Sequence, residues 1–287
     1  MITIALPNKG RLSEKALGLF ERAGLRAEFT SERALVAALS NEFRAIFVRA
    51  ADVPEFIADG AADAGVTGAD LIAESGRQVE TLLDLGFGRC RLAVAVPEGC
   101  GIGALEQVRA GSRVATTFPR IASSFFAQAG IPVEIAQVSG AAEIAPHLGV
   151  ADVIVDLVST GSTLRVNGLR EVATVLESTA RLIASREAWS DPARRTSLEE
   201  LVAALESVLR ADGKRYLMAN VPRDRLDEVK RVLPGISGPT IIEVSDAGSW
   251  VAAHAVVDED RVYQTIAGLK RLGAEGILVT RIERLMP

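Results

Sequence analysis

Residues 151–170 read ADVIVDLVSTGSTLRVNGLR, an apolar strand that carries Asp152 and Asp156 and runs directly into a turn of Ser159, Thr160, Gly161, Ser162 and Thr163. A strand that ends in small hydroxylated residues and glycine lets several backbone N–H groups and hydroxyls converge on one phosphate, because nothing bulky blocks the approach. Asp156 at the strand tip adds a carboxylate that can accept hydrogen bonds from the hydroxyls of a ribose or help hold a magnesium ion. Together these residues predict a site for a ribose that bears a phosphate. The ordinary alternative is a strand-to-loop turn, since Ser, Thr and Gly are common turn residues. Asp152 reads as a strand-start or turn residue.

The residues before this stretch repeat a strand-helix grammar. ITIAL is followed by a helix from about Ser13 that carries Ala16, Leu17 and Phe20 and stops at Gly24. FRAIFVR (43–49) reads as a buried strand, Asp52 as a helix N-cap with Pro54 in the first turn, and DAGVTG as a lead into a helix near Asp70. The grammar restarts with RCRLAVAVP, SRVATTF, a helix over 120–129, PVEIAQV and a helix after Ser139. The segment LREVATVLESTARLIAS (169–185) is expected to cross back and complete the first unit. The prediction is an α/β body of two lobes with a cleft between them, residues 1–88 and 171–212 forming one lobe and 89–170 the other.

Beyond this body, Ser197 and Glu200 read as a capping box opening a helix with an apolar stripe of Leu201, Val202, Leu205, Val208 and Leu209. The order after Gly213 is plain: RYLMANV strand, RDRLDEVKRVL helix, TIIEVS and SWVAAHAVV strands around an Asp246-Ala247-Gly248 turn, DEDRVYQTIAGLKRL helix, GILVTRIERL strand. This is βαββαβ, a ferredoxin-like unit over 213–287. It shows no catalytic constellation, so a ligand-sensing or assembly module is the natural reading.

Composition narrows the class. The 287 residues are 48% hydrophobic and 24% charged, with a net charge of −5, as expected of a globular α/β chain of two or three units. The absence of a basic excess argues against a broad nucleic-acid surface. No run reaches membrane-spanning length, and the start MITIALPNKGRLSEK lacks a basic head followed by an apolar stretch, so a cytoplasmic protein is expected. Cys90 and Cys100 read as free thiols, and His147 and His254 are too far apart for a His-based metal motif.

Other candidates sit where open α/β sheets present ligand crevices. Lys9 and Arg11 follow the first strand and can face phosphates; the alternative is a solvated basic turn. Arg49 ends the strand FRAIFVR and offers a planar fork for phosphate or a flat face for a purine. Asp70, in Thr67-Gly68-Ala69-Asp70, can read a base or ribose, or it can simply stabilise a helix start. Glu143 carries the same ambiguity, and Thr116 and Thr117 read as structural.

Taken together, PNKGRLSE, FVRAADVPEFIADGAADAGVTGADL, DLGFGRCRLAVAVP, RVATTFPRIASSFF, GAAEIAPHLGVADVIVDLVSTGSTLRVNGL and GPTII resemble the ATP phosphoribosyltransferase family, the first enzyme of histidine biosynthesis, in its long form. The resemblance spans essentially the whole chain, with Ser162 at a position the family varies. It implies a catalytic body similar to periplasmic binding proteins, followed by a ferredoxin-like regulatory domain that binds histidine. It further implies ATP and phosphoribosyl pyrophosphate as substrates, Mg2+ dependence, inhibition by histidine, and a homo-oligomer in equilibrium between dimer and hexamer. On this resemblance Asp156 and Ser159 to Thr163 hold the ribose and its 5-phosphate, with Asp156 catalytic. Lys9, Arg11, Arg49 and Asp70 shape the nucleotide side, and Thr240 lines the histidine pocket. Two other readings are a two-lobed receptor that only captures a small anion, and a phosphoribosyltransferase acting on a different base.

Overall fold

The computed structural model describes residues 1–286 apart from 30, 32, 33, 237 and 245–247, and it divides into two compact units, Met1–Val202 and Ala203–Pro287. The expected turn at Asp246 and Ala247 therefore lies outside the described residues.

The first unit opens with β1 (Ile2–Pro7), α1 (Ser13–Arg22), β2 (Glu28–Phe29), β3 (Val36–Ala38), β4 (Phe43–Val48), α2 (Val53–Ala58), β5 (Ala64–Gly68), α3 (Ala69–Ser75) and β6 (Glu80–Asp84). A second run follows: β7 (Cys90–Pro97), β8 (Arg113–Thr116), α4 (Pro119–Gln128), β9 (Glu134–Gln137), β10 (Val153–Val158), α5 (Ser162–Val166) and β11 (Leu169–Ser178). The chain then returns through β12 (Ala180–Ala184), α6 (Arg186–Ser190) and α7 (Pro192–Ala211).

These strands build two sheets, hence two lobes. One has the order β2-β3-β4-β1-β5-β12-β6 and the other β11-β7-β10-β8-β9. In the first, β1 runs parallel to β4 and β5 with Pro7 opposite Val48, so the loops after these strands emerge along one edge. In the second, β10 lies parallel to β8 and antiparallel to β7. Ile4, Leu6, Val66, Val94, Val153 and Val155 are fully buried, each contributing roughly 1.5–3 kcal/mol through burial of its side chain.

The passage between the lobes is a pair of crossing segments bonded to each other. Leu85 N–H donates to Ala180 O at 2.9 Å and Ala180 N–H to Phe87 O at 2.9 Å. A further tie runs from α3, where Glu74 accepts the N–H groups of Arg120 and Ile121 at 2.9 and 3.0 Å. A carboxylate of the first lobe thus caps α4 of the second, whose own N-cap position holds Phe118, a residue with no capping side chain.

The structure corrects four local expectations. The crossing back to the first sheet falls at 178–180 rather than at 171, because all of β11 pairs with β7. No α-helix follows Ser139; Ala142–Ile144 form a single 3-10 turn, in a stretch interrupted by Pro146 and Gly149. Asp52 sits at the N-cap of α2 but its side chain makes no capping bond. The Ser197–Glu200 pair lies inside α7, which begins five residues earlier at Pro192, where Asp191 accepts the Arg194 N–H at 2.9 Å. The apolar stripe does hold: Leu201, Leu205 and Val208 are buried.

The second unit takes in the end of α7, then β13 (Lys214–Pro222), α8 (Leu226–Val232), β14 (Thr240–Glu243), β15 (Trp250–Asp258), α9 (Val262–Arg271) and β16 (Glu275–Arg281). Its antiparallel sheet has the order β14-β15-β13-β16, the ferredoxin-like arrangement. Alternation sets its faces: Leu217, Ala219 and Val221 with Val251, Ala253 and Ala255 form the core with Val229 and Leu269 of the helices, while Tyr216 and His254 hydrogen-bond on the opposite face. Gly268 lets α9 press against α8; a Cβ there would stand 2.7 Å from Val232 Cγ1.

Candidate active site

β10 carries Asp156 and runs into the loop 159–161 that precedes α5. Ile154 and Val158 are buried in one cluster with Leu164 and Leu169, and period-2 alternation puts Asp156 on that same face. Beyond Val158, Ser159 and Thr160 are exposed, Gly161 adopts φ 75°, and α5 begins at Ser162. Glycine supplies that left-handed turn without a side-chain penalty. The N–H groups of the first α5 turn have no partners within the helix, and the Thr160 and Ser162 hydroxyls lie 2.9 Å apart, so donors cluster at the strand tip.

Asp156 is a partly buried carboxylate whose hydrogen bond is to the neighbouring Leu157 N–H at 2.8 Å. Burial pushes its pKa up, and the nearby Glu143 charge pushes the same way. The structure thus supplies the carboxylate with a like-charged neighbour and no ion-pair partner among the described residues. Magnesium takes one or two carboxylates and leaves its remaining positions to water and substrate phosphates, so the Asp156 carboxylate, which no cation among the described residues neutralises, is a donor that fits this ion.

Lys9, Arg49 and Asp70 follow β1, β4 and β5, neighbouring parallel strands whose ends share one edge of the first sheet. Lys9 and Arg49 are exposed there. Asp70 is different. It is 0% exposed, and its carboxylate accepts Arg11 Nη2 at 2.9 Å and the Ser178 hydroxyl at 2.6 Å. Arg11 in turn donates to the Gly88 carbonyl and to Cys90 Sγ, the latter at 2.9 Å. This knot joins the start of α1, the start of α3 and both crossing segments. Burial raises the Cys90 thiol pKa.

Next to the knot lies a cavity of about 400 Å³, within the size range of small-molecule sites. Ser159 of the cradle lines it together with Arg89, Cys90, Arg91, Ser178 and Arg181. Arg91 is held by Glu171, whose pKa the guanidinium lowers, and Arg181 by Asp84. Sequence reading missed Ser178 and the arginines at 89, 91 and 181; GFGRCR (86–91), which runs into β7, was a local cue to Arg89 and Arg91 alone. Thr116 and Asp152 are structural, the first bonding Phe118 N–H and the second Arg113 N–H. Thr240 opens the edge strand β14, exposed and paired in register with His254.

The family model for ATP phosphoribosyltransferase matches residues 49–207, and the model for the HisG C-terminal domain matches residues 211–284. An ATP phosphoribosyltransferase from Gemmatimonas aurantiaca is 61% identical, with all of both chains covered, and one from Natronomonas pharaonis is 50% identical over 99% of each. Among solved structures, the ATP phosphoribosyl transferase (HisG:HisZ) complex from Thermotoga maritima aligns with a TM-score of 0.66 and 26% identity, covering 74% of this chain and 100% of that one. A two-lobed α/β body, a ferredoxin-like unit after it, and full-length relatives of this kind place the chain in the ATP phosphoribosyltransferase family of histidine biosynthesis, in its long form.

Proposed function

We propose that the protein joins N1 of the ATP adenine to the anomeric carbon of phosphoribosyl pyrophosphate, giving N1-phosphoribosyl-ATP and pyrophosphate, and that histidine inhibits it through the C-terminal unit. The observation that carries the reading is the continuous Asp156-to-Thr163 cradle, which meets a cavity between the lobes through Ser159.

The loop 159–163 binds the 5-phosphate through N–H groups and hydroxyls, and Asp156 accepts from the ribose hydroxyls. Lys9 and Arg49 hold nucleotide phosphates at the edge of the first sheet. Arg11, fixed by Asp70, ties that edge to the crossing segments. The C1′–N1 bond forms as the bond from C1′ to pyrophosphate breaks, the electron pair leaving on pyrophosphate. Positive charge on the sugar grows as this happens, and the Asp156 carboxylate stabilises it in a partly dry site. Magnesium, when bound with the substrate phosphates near Asp156, supplies charge neutralisation of the leaving group. Lobe closure over the cleft aligns the two substrates and excludes water that would otherwise capture the sugar.

The rest of this reading follows from the family: a cytoplasmic protein, a dimer–hexamer equilibrium, and Thr240 on the histidine pocket. Among the described residues no helix is long and apolar enough to cross a membrane. The test is formation of phosphoribosyl-ATP from ATP, phosphoribosyl pyrophosphate and magnesium with pyrophosphatase present, repeated with histidine. Product that histidine suppresses is expected. Absence of product would turn the reading to a different base or to a receptor, and product insensitive to histidine would remove the regulatory half.

A further inference from the structure

The C-terminal unit contains a cavity of its own, about 380 Å³, between the start of β13, the end of β15, the end of α8 and the start of α9. Its size suits a small molecule. Its wall carries three cations, Lys214, Arg231 and Arg261, against one carboxylate, Asp258. That carboxylate is already engaged by Lys214, which holds its pKa low. The Arg231 and Arg261 guanidinium groups have no hydrogen-bonded or ion-paired partner among the described residues; Arg261 acts on Asp258 only through space.

A second, independent observation is Thr265. It is 8% exposed and lines the cavity, and its hydroxyl makes no hydrogen bond among the described residues. A threonine on a helix commonly donates to the carbonyl four residues earlier, as Thr196 does to Pro192 at 3.0 Å. Thr265 leaves that bond unmade, and its oxygen is not sealed in the core, since no buried side-chain polar atom among the described residues lacks a partner. The hydroxyl therefore opens into the cavity, where Gln264 adds an amide.

Two free guanidinium forks, a hydroxyl and an amide make a donor-rich, positively charged pocket, the chemistry that recognises phosphate oxygens. A zwitterionic amino acid would need a carboxylate free to take its ammonium group, and Asp258 is committed to Lys214. Thr240 does not line the cavity. We propose that this cavity binds a phosphate-bearing anion no larger than a nucleoside monophosphate.

The experiment follows hydrogen exchange over residues 230–236 and 256–265 of the full-length protein, with inorganic phosphate, AMP or histidine as separate arms. Each arm is run on the wild type and on the Arg231→Ala/Arg261→Ala double variant. Protection by inorganic phosphate supports the proposal with a free anion as ligand, and protection by AMP alone supports it with a nucleotide as ligand. In either case the double variant is expected to bind at least about tenfold more weakly, the loss of charge-assisted bonds, with basal turnover unchanged. No protection by phosphate or AMP, protection undiminished in the double variant, or protection by histidine alone would overturn it.

Discussion

Two strand ends in the catalytic body each carry an aspartate, and the structure treats them in opposite ways. After β5, Asp70 is sealed from solvent, bonded to Arg11 and Ser178, and every demand of its charge is met inside the protein. At the end of β10, Asp156 is half-buried beside Glu143, with its own strand's N–H as its hydrogen-bond partner. A satisfied buried carboxylate holds structure together, whereas one desolvated without a cation has been left for something the chain does not supply. That contrast supports the proposed reading, in which the first positions and the second takes part in the chemistry.

The largest expected effect falls on Asp156. Asp156→Ala is expected to lower kcat roughly 10²- to 10³-fold, the scale of losing one group aimed at developing charge, with the fold retained. A variant that turns over like the wild type would break the contrast. Arg11→Ala should act the other way, on stability first. It leaves Asp70 buried and unpaired, so denaturant titration is expected to show a loss of roughly 3–5 kcal/mol. A loss within experimental scatter would mean that the knot does not hold the crossing segments. Asp70→Asn should cost less, because the Arg11 side chain is 33% exposed and can reach water.

The acid limb of kcat/KM sharpens the comparison further. Asp156 must be ionised to act, and burial raises its pKa, so activity is expected to fall on acidification with a midpoint above the usual 3.8. The stability sign is opposite. A carboxyl whose pKa is higher in the folded than in the unfolded chain binds extra proton when folded, so it withdraws stability as pH rises through that window. Asp156→Asn should therefore be at least as stable as the wild type at neutral pH. Smaller still, Glu74→Ala removes the carboxylate that caps α4 from the other lobe and should cost about 1 kcal/mol by thermal or chemical denaturation. Thr240→Ala should leave basal turnover within about twofold, as expected for a surface change, and weaken inhibition by histidine.

How much of this was legible in the sequence depends on chain separation. The cradle is contiguous, so Asp156 to Thr163 could be read as one word. The βαββαβ unit could be read from period-2 and period-3.6 patterns with short connections. Arg11, Asp70, Cys90 and Ser178 meet from four places in the chain, the hydrogen-bonded partners standing 59 to 108 residues apart, and no local pattern encodes that meeting. Asp70 was recognised as a strand-to-helix residue, but only burial distinguishes a ligand contact from a brace. The start of α7 was misplaced because Ser197 and Glu200 match a capping box, while the simpler Asp191-Pro192 start came earlier and won. The loss of the helix after Ser139 reflects Pro146 and Gly149, which break it before a second turn can form.

The central claim is that the charge of Asp156 stabilises the transition state. The most direct measurement is phosphoribosyl-ATP formation by Asp156→Asn beside the wild type, with thermal denaturation recorded on the same samples. The amide keeps the shape and an oxygen for the Leu157 N–H, so a loss of turnover on the 10²-fold scale with undiminished stability is the predicted result. Turnover equal to that of the wild type in a fully folded variant would contradict the account.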